Sequence, residues 1–346
     1  MKNPTISDVA ALAGVSKATV SAVLNDKPTT RASTRRSVLR AIDRLGYRPS
    51  PAARRRFRPG AERSICFLVK EAANPYYAEA LLGAQEVASE HGYLLEMISS
   101  EGDYATERRV VEQAMEREIG GLVLTPILND DVDLSHVFEL KRNNIPFVLM
   151  EEVRGIRADL VDVDNTVASA AAIRFLIEQG HTRIVHLAGP SYSSHSEERS
   201  EGVRRAFSES RLVFDESMVV PTGASAAQGY RAALSVFRAA GADRPTAVTC
   251  YNDMVAVGLL RALRELGLRV PEDVSVIGFD DLELLEYYPL PLTTMHVPKR
   301  EIGRRAVELL LRRIESPAPR ESAPERVLFE APLVVRESTA PPRGRE

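Results

Sequence analysis

Apolar residues recur at helical spacing in the first forty-five positions, and from residue 64 they gather into short runs instead. In TISDVAALAGVSKATVSAVLN (5–25), Ile6, Val9, Ala10 and Ala13 fall at i, i+3, i+4 and i+7, one face of a short helix. Thr5 stands before it with Asp8 three residues on, the spacing of a reciprocal capping box. Gly14 follows where a left-handed residue ends a helix. Ser16 is placed to cap a second helix whose apolar face is Val20, Val23 and Leu24. A third helix is expected from Ser33 as N-cap to Leu45, with Val38, Ala41, Ile42 and Leu45 inward and Gly46 as its stop. Two short helices around a glycine-containing turn, closed by a third, make a helix-turn-helix.

Beyond residue 64 strands and helices alternate. The expected strands are 64–70, 93–99, 121–126, 145–150, 160–164, 183–189, 218–221, 246–251 and 273–281. Helices are expected over 75–92, 105–117, 133–142, 166–179, 197–209, 226–240, 253–266 and 299–314. Strands this apolar, separated by helices, imply parallel sheets covered on both faces, and the series is long enough for two. Residues 282–298 show no clear periodicity. The Pro-, Gly- and Arg-rich tail from residue 339 to 346 reads as disordered. The chain thus divides into a head (1–49), a hinge or linker (50–63) and an α/β body (64–338).

Charge separates head from body. The net charge of −3 conceals 13 Lys/Arg against 3 Asp/Glu in residues 1–60, and the opposite excess in the remainder. A basic head on an acidic body points to a polyanionic partner for the head alone. The second helix exposes Lys17, Ala18, Ser21 and Ala22, small or basic side chains suited to close approach to base edges in a major groove. In the linker, four of the five residues 54–58 are Arg. This segment is either a solvated spacer or a short helix that orders on DNA. No run of eighteen apolar residues exists, and the start lacks the apolar core of a signal peptide. Cys66 and Cys250 sit in apolar runs and read as buried thiols of a reducing cytoplasm.

Parallel α/β sheets bind ligands beyond the carboxyl ends of their strands. Those positions hold Thr125, Asp164, Asn252, Asp280 and Asp281, the polar loop 189–199, and Tyr76 and Tyr77 at the start of a helix. An aromatic face with fixed donors and acceptors suits a small polar ligand. Individually, Asn252 also reads as a helix cap, Tyr77 as core, and Arg199 as a partner of Glu198 or Asp280. G-x-S-x-G, P-loop, G-x-G-x-x-G and HExxH motifs are all missing. Ser193, Ser194 and His195 adjoin in sequence, which is not a triad, and His181 and His186 lack metal-ligand spacing. Neither an enzyme, nor a bound cofactor, nor a metal is expected.

With TISDVAALAGVSKATVSAVLND, STRRSVLRAIDRLGYRPS, NPYY, GGLVLTP, VDVDN, GHTRIVHLAGP, ERSEG, YNDMVAVGLLRALRELGLRVPEDVSVIGFDD and PLTTMHVP in this order, the chain resembles the LacI (lac repressor-like) family of bacterial transcriptional regulators over essentially its whole length. The resemblance implies a homodimer. Each chain has a three-helix helix-turn-helix head, a hinge helix and a two-lobed body similar to periplasmic sugar-binding proteins, with an effector between the lobes. It places Lys17, Ala18 and Ala22 at base-reading positions, and Ser16, Thr19, Ser21, Asn25 and Tyr47 along the backbone or flanking the reading helix. Thr5, Arg54, Arg56 and Phe57 complete the expected DNA-contacting set. Tyr76, Tyr77, Thr125, Asp164, His195, Arg199, Asn252 and Asp280 match effector-lining positions.

Three departures bear on specificity. Ala22 stands where the family pattern has Arg, so no bidentate contact to guanine is possible there. Arg56, with Phe57 next, stands where the hinge Leu wedges into the minor groove. Ala224 replaces the Trp or Phe on which many sugar-binding relatives stack their ligand, and the chain has no Trp. The expected function is a cytoplasmic, nucleoid-associated repressor. It would bind a palindromic operator and answer to a sugar or sugar derivative in a carbohydrate or related catabolic operon. A solute-binding protein of a transport system is the rival reading.

Overall fold

The computed structural model describes residues 5–24, 30–45, 47, 63–117, 119–128, 133–239, 244–315 and 323–343. Asn25, Arg54, Arg56, Phe57 and the expected hinge lie outside the described residues.

Three helices build the head: α1 (Ile6–Ala13), α2 (Lys17–Leu24) and α3 (Ala32–Leu45). The capping box forms as the spacing predicts. The Thr5 amide donates to Asp8 Oδ2 at 2.7 Å, and the Asp8 amide returns to Thr5 Oγ1 at 3.4 Å. Gly14 takes φ 65°, and the Val15 amide bonds back to the Ala10 carbonyl at 3.0 Å, closing α1. Ser16 Oγ accepts the Thr19 amide at 3.1 Å and so caps α2, which leaves α1 at 102°. Val9, Ala10, Val20, Val23, Val38, Ala41 and Tyr47 form one buried cluster separate from the body's cores. α3 begins at Ala32, so Ser33 lies inside it rather than capping it.

The body holds two six-stranded sheets. In the first lobe the strands are β1 (Ser64–Val69), β2 (Leu94–Ser99), β3 (Leu122–Leu124), β4 (Phe147–Leu149), β5 (Asp159–Val163) and, from near the C-terminus, β11 (Arg326–Phe329). Their order is β11-β5-β4-β3-β1-β2, all parallel. In the second lobe the strands are β6 (Ile184–Ala188), β7 (Val219–Pro221), β8 (Ala247–Cys250), β9 (Ser275–Asp280), β10 (Thr293–His296) and β12 (Leu333–Val334), in the order β12-β10-β9-β8-β6-β7. Only β12 runs antiparallel to its neighbour.

The helices are α4 (Pro75–Glu90), α5 (Tyr104–Glu116), α6 (Ser135–Arg142), α7 (Asn165–Glu178), α8 (Ser194–Ser208), α9 (Ala226–Ala239), α10 (Asp253–Glu265) and α11 (Lys299–Glu315). The unbroken apolar run of β1 follows from burial on two sides. Ile65, Phe67 and Val69 pack under α4 and α11, while Cys66 and Leu68 pack under α5 and α6. The second sheet is sandwiched likewise, with α9 and α10 on one face and α7 and α8 on the other. The chain passes between lobes after β5, after β10, where α11 returns to the first sheet, and between β11 and β12.

Three sequence expectations change. Residues 282–298, read as aperiodic, contain a 3-10 turn (Glu283–Tyr287) and β10. β11 and β12, short and set among charged residues, were not foreseen; each exists by pairing with a strand already in place. The tail expected to be disordered from residue 339 is seated over 339–343. Ala340 exchanges hydrogen bonds with Ser275 Oγ at 2.9 and 3.0 Å, and its carbonyl meets His181 Nε2 at 3.0 Å. Side-chain hydrogen bonds to the Ala340 backbone, which composition does not report, hold it there. Among the described residues no single helix is long and apolar enough to cross a membrane. Cys66 and Cys250 are buried and unbridged, and burial pushes the Cys66 thiol up to about 12.

Candidate DNA-reading helix and interlobe cleft

On α2 the side chains of Lys17 and Ala18 are exposed, and those of Thr19, Ser21 and Ala22 half-buried. This face turns away from Val20 and Val23, which are inside the head. Ser16 and Thr5 act as caps, leaving their side chains at helix N-termini that face solvent. Tyr47 is only 8% exposed and belongs to the head's core.

The cleft between lobes is dense with charge. Lys70, at the end of β1, and Glu151, just past β4, form a buried ion pair. Glu151 Oε1 reaches across to the second lobe. It accepts the Ser193 hydroxyl at 2.7 Å, the Ser194 hydroxyl at 3.2 Å and the His195 amide at 3.3 Å, at the start of α8. Burial alone would raise the Glu151 carboxyl, but the Lys70 and His195 charges outweigh it and bring it down to about 2. A second bridge joins His195 Nε2 to Asp162 Oδ2 on β5 at 2.9 Å. Burial works against a charged imidazole there, yet Asp162 and Glu151 push His195 up to about 8. The Leu128 amide donates to the Tyr192 carbonyl at 2.7 Å, and the Tyr192 hydroxyl to Glu71 at 2.9 Å.

Arg199, 5% exposed, lies deeper. Its Nε donates to Asn165 Oδ1 at 2.9 Å and its Nη1 to the Tyr251 carbonyl. The guanidinium stacks 3.5 Å over the Phe279 ring. Its hydrogen bonds therefore go to an amide and a carbonyl, not to Glu198 or Asp280. Asp280 ends β9 with φ 122° and is 3% exposed. Burial raises its carboxyl, while Arg199, Lys299 and His195 hold the rise in check. Tyr76 and Tyr77 meet edge to face at 5.2 Å at the start of α4, with Thr125 hydrogen-bonded to Tyr77.

Tyr76, Tyr77, Thr125, His195, Arg199 and Asp280 are thus brought into one region. Asp164 and Asn252 serve locally as caps of α7 and α10, accepting the Val167 and Val255 amides at 2.9 and 2.8 Å. Asn252 also donates to the Ala224 carbonyl at 3.0 Å. Sequence reasoning missed Lys70, Glu151, Asp162, Glu198 and Lys299. Lys70 and Glu151 follow strand ends, so the rule that found Thr125 reaches them too. Asp162 lies inside an apolar strand and carries no such sign. Asp162, His195 and Glu198 bring donor atoms within 4.8 Å of one another, and the His195–Asp162 and Asn165–Glu198 hydrogen bonds account for that contact.

A helix-turn-helix with a small, basic reading face, carried by a two-lobed receptor body, defines a ligand-responsive DNA-binding regulator and not an enzyme. Comparison with known proteins agrees. Residues 5–50 match the bacterial regulatory proteins of the lacI family, and residues 173–339 match the periplasmic binding protein-like domain. The chain is 36% identical to the HTH-type transcriptional repressor PurR of Vibrio vulnificus (strain CMCP6), over 90% of this chain and 92% of that one. It is 35% identical to PurR of Vibrio atlanticus (strain LGP32), over 97% and 98%. Among solved structures, the transcriptional regulator CelR–cellobiose complex superposes with a TM-score of 0.73 at 31% identity, over 97% of this chain and 99% of that one. A LacI family regulator from Enterococcus faecium with bound ribose gives 0.71 at 26%, over 81% and 100%. The protein belongs to the LacI family of transcriptional regulators. The transport reading is set aside, because a solute-binding protein has no use for the head.

Proposed function

We propose that this protein is a homodimeric cytoplasmic repressor that reads a palindromic operator with α2 and answers to a small, hydroxyl-rich effector held between its lobes. The head spans residues 1–49, the hinge 50–63 and the receptor 64–338. Lys17, Ala18 and Ala22 read bases. Thr5, Ser16, Thr19, Ser21, Asn25, Tyr47, Arg54, Arg56 and Phe57 contact or support the DNA backbone and hinge. Tyr76, Tyr77, Thr125, His195, Arg199 and Asp280 surround the effector, and Asp164 and Asn252 support the site through the helix N-termini that they cap. The observation that carries this reading is the cross-lobe network centred on Glu151 and His195. A ligand that binds there biases one lobe arrangement, and operator DNA must change ligand affinity by the same factor.

A sugar or sugar derivative is favoured by the carboxylates, guanidinium and phenols of the cleft, and by the cellobiose and ribose named with two relatives. Ala224 offers no stacking face, so recognition would rest on hydrogen bonds rather than on a platform. For the dimer, Leu284 and Tyr287 stand out at 68% and 76% exposure. A groove of about 1140 Å³ lined by Tyr230, Leu260, Arg261 and the exposed Tyr288 is a second apolar surface suited to a second copy.

The test is enrichment of genomic fragments by the full-length protein, with and without cellobiose, ribose and a wider metabolite panel, across a salt series. Specific fragments should be retained, with affinity falling steeply as salt rises. No preference for any fragment under any condition overturns the proposal.

A further inference from the structure

Asp280 and Asp281 are consecutive non-glycine residues with positive φ, 122° and 57°. L side chains rarely adopt such a backbone unless their surroundings impose it. Four side chains do so here. Asp253 Oδ2 accepts the Leu282 amide at 2.8 Å. His296 Nδ1 and Arg336 Nη2 each meet the Asp281 carboxylate at 2.7 Å. The fourth is Lys299, a lysine only 3% exposed. Its Nζ donates to the carbonyls of Asp280 at 2.6 Å, Asp281 at 2.8 Å and Val297 at 3.4 Å.

Three of these holders belong to the second lobe. Lys299 opens α11, which packs on α4 and on the first sheet. The helix pair meets backbone to backbone: a Cβ at Gly83 would lie 1.9 Å from the Arg300 carbonyl oxygen, and one at Gly303 1.8 Å from that of Ala80. The ammonium also lies 3.4 Å from Glu79 of α4, the helix whose first turn holds Tyr76 and Tyr77. A buried ammonium is costly unless its protons are satisfied, and here three carbonyls and a carboxylate satisfy them.

We propose that Lys299 is a positioning residue of the effector site: from the first lobe it pins the left-handed Asp280–Asp281 turn of the second, and so fixes where the Asp280 carboxylate stands relative to Tyr76. The proposal rests on the reading of the cleft as the effector site. Effector engaged by Asp280 is then linked mechanically to α4 and α11 of the other lobe.

The test compares full-length parent, Lys299→Met and Lys299→Arg proteins by hydrogen–deuterium exchange. In Lys299→Met the peptide over 279–285 should exchange roughly tenfold faster, with α10 and β6 unchanged, and Lys299→Arg should restore protection. Lys299→Gln, which keeps one donor group, should fall between the two and decides the matter if the Met protein does not fold. Unchanged exchange over 279–285, or a rise spread over the whole second lobe, overturns the proposal. The underlying reading is tested apart, by thermal shift with cellobiose and ribose. A sugar that shifts Asp280→Asn as much as the parent removes Asp280 from the effector site and leaves the exchange result standing. A sugar weakened in both Asp280→Asn and Lys299→Met, and recovered in Lys299→Arg, supports both.

Discussion

The head closes its core with seven residues that all precede position 48, from Val9 to Tyr47. The cleft gathers Lys70, Glu151, Asp162, His195, Arg199, Asp280 and Lys299, which lie on both lobes and reach across most of the chain. The first is a small apolar unit held by caps and a glycine turn. The second is a charged joint in which nearly every polar group has its partner on another element. A small apolar core fails when one residue is made polar, whereas a buried polar joint fails when a partner is removed.

The largest effect expected from this contrast is at Val20, fully buried in the head. Val20→Asp places an unpaired carboxylate in a core of seven residues, a cost on the order of 4 kcal/mol or more. Operator binding should vanish in a mobility-shift assay while the unfolding midpoint of the body stays where it is. A midpoint that falls together with DNA binding would show that the two regions do not stand apart.

Next comes Glu151→Leu. It strands the Lys70 ammonium and three donors at the start of α8, and should lower body stability by about 3–5 kcal/mol in a urea melt. The double variant Lys70→Met/Glu151→Leu should recover much of that loss, because two matched apolar groups replace two charges. If the double variant is as unstable as the single one, the pair is not the joint described above.

The smallest effect is a pH slope. His195 is raised from its ordinary 6.5 to about 8, so the folded protein holds that proton more tightly than the unfolded chain. Its stabilisation is complete below pH 6.5 and is lost as pH rises through 8, a change of about 2 kcal/mol. The thermal midpoint should therefore fall between about pH 6 and pH 9, and His195→Gln should flatten the slope. Buried Asp253, raised by burial and by the Asp280 charge beside it, acts with the same sign and leaves a residual slope in the variant, whereas Asp280, raised less far, loses its contribution at lower pH. Equal slopes in both proteins would remove His195 from the cross-lobe pair.

The same contrast explains what could be read before the fold was known. Thr5, Asp8, Gly14 and Ser16 do locally what their spacing predicts, since a cap needs only residues three or four positions away. Most body elements are found within a few residues of their expected bounds, because runs such as SICFLV must be covered on both faces. β11 and β12 were illegible because their strand character is supplied by β5 and β10. Glu151 and Lys299 were illegible as site residues because a charge beside a strand or opening a helix is ordinary until its partners are seen.

By itself the sequence determined a basic three-helix head, an acidic two-sheet α/β body and the family to which both belong. Those properties follow from periodicity, capping and charge, all of which act over short stretches of chain. Only the tertiary structure decided that Glu151 crosses to α8, that Arg199 stacks on Phe279 rather than pairing with an acid, and that Lys299 holds the Asp280 turn. A buried charge takes its partner from whatever the fold brings within about 3 Å, and sequence order places no bound on that distance.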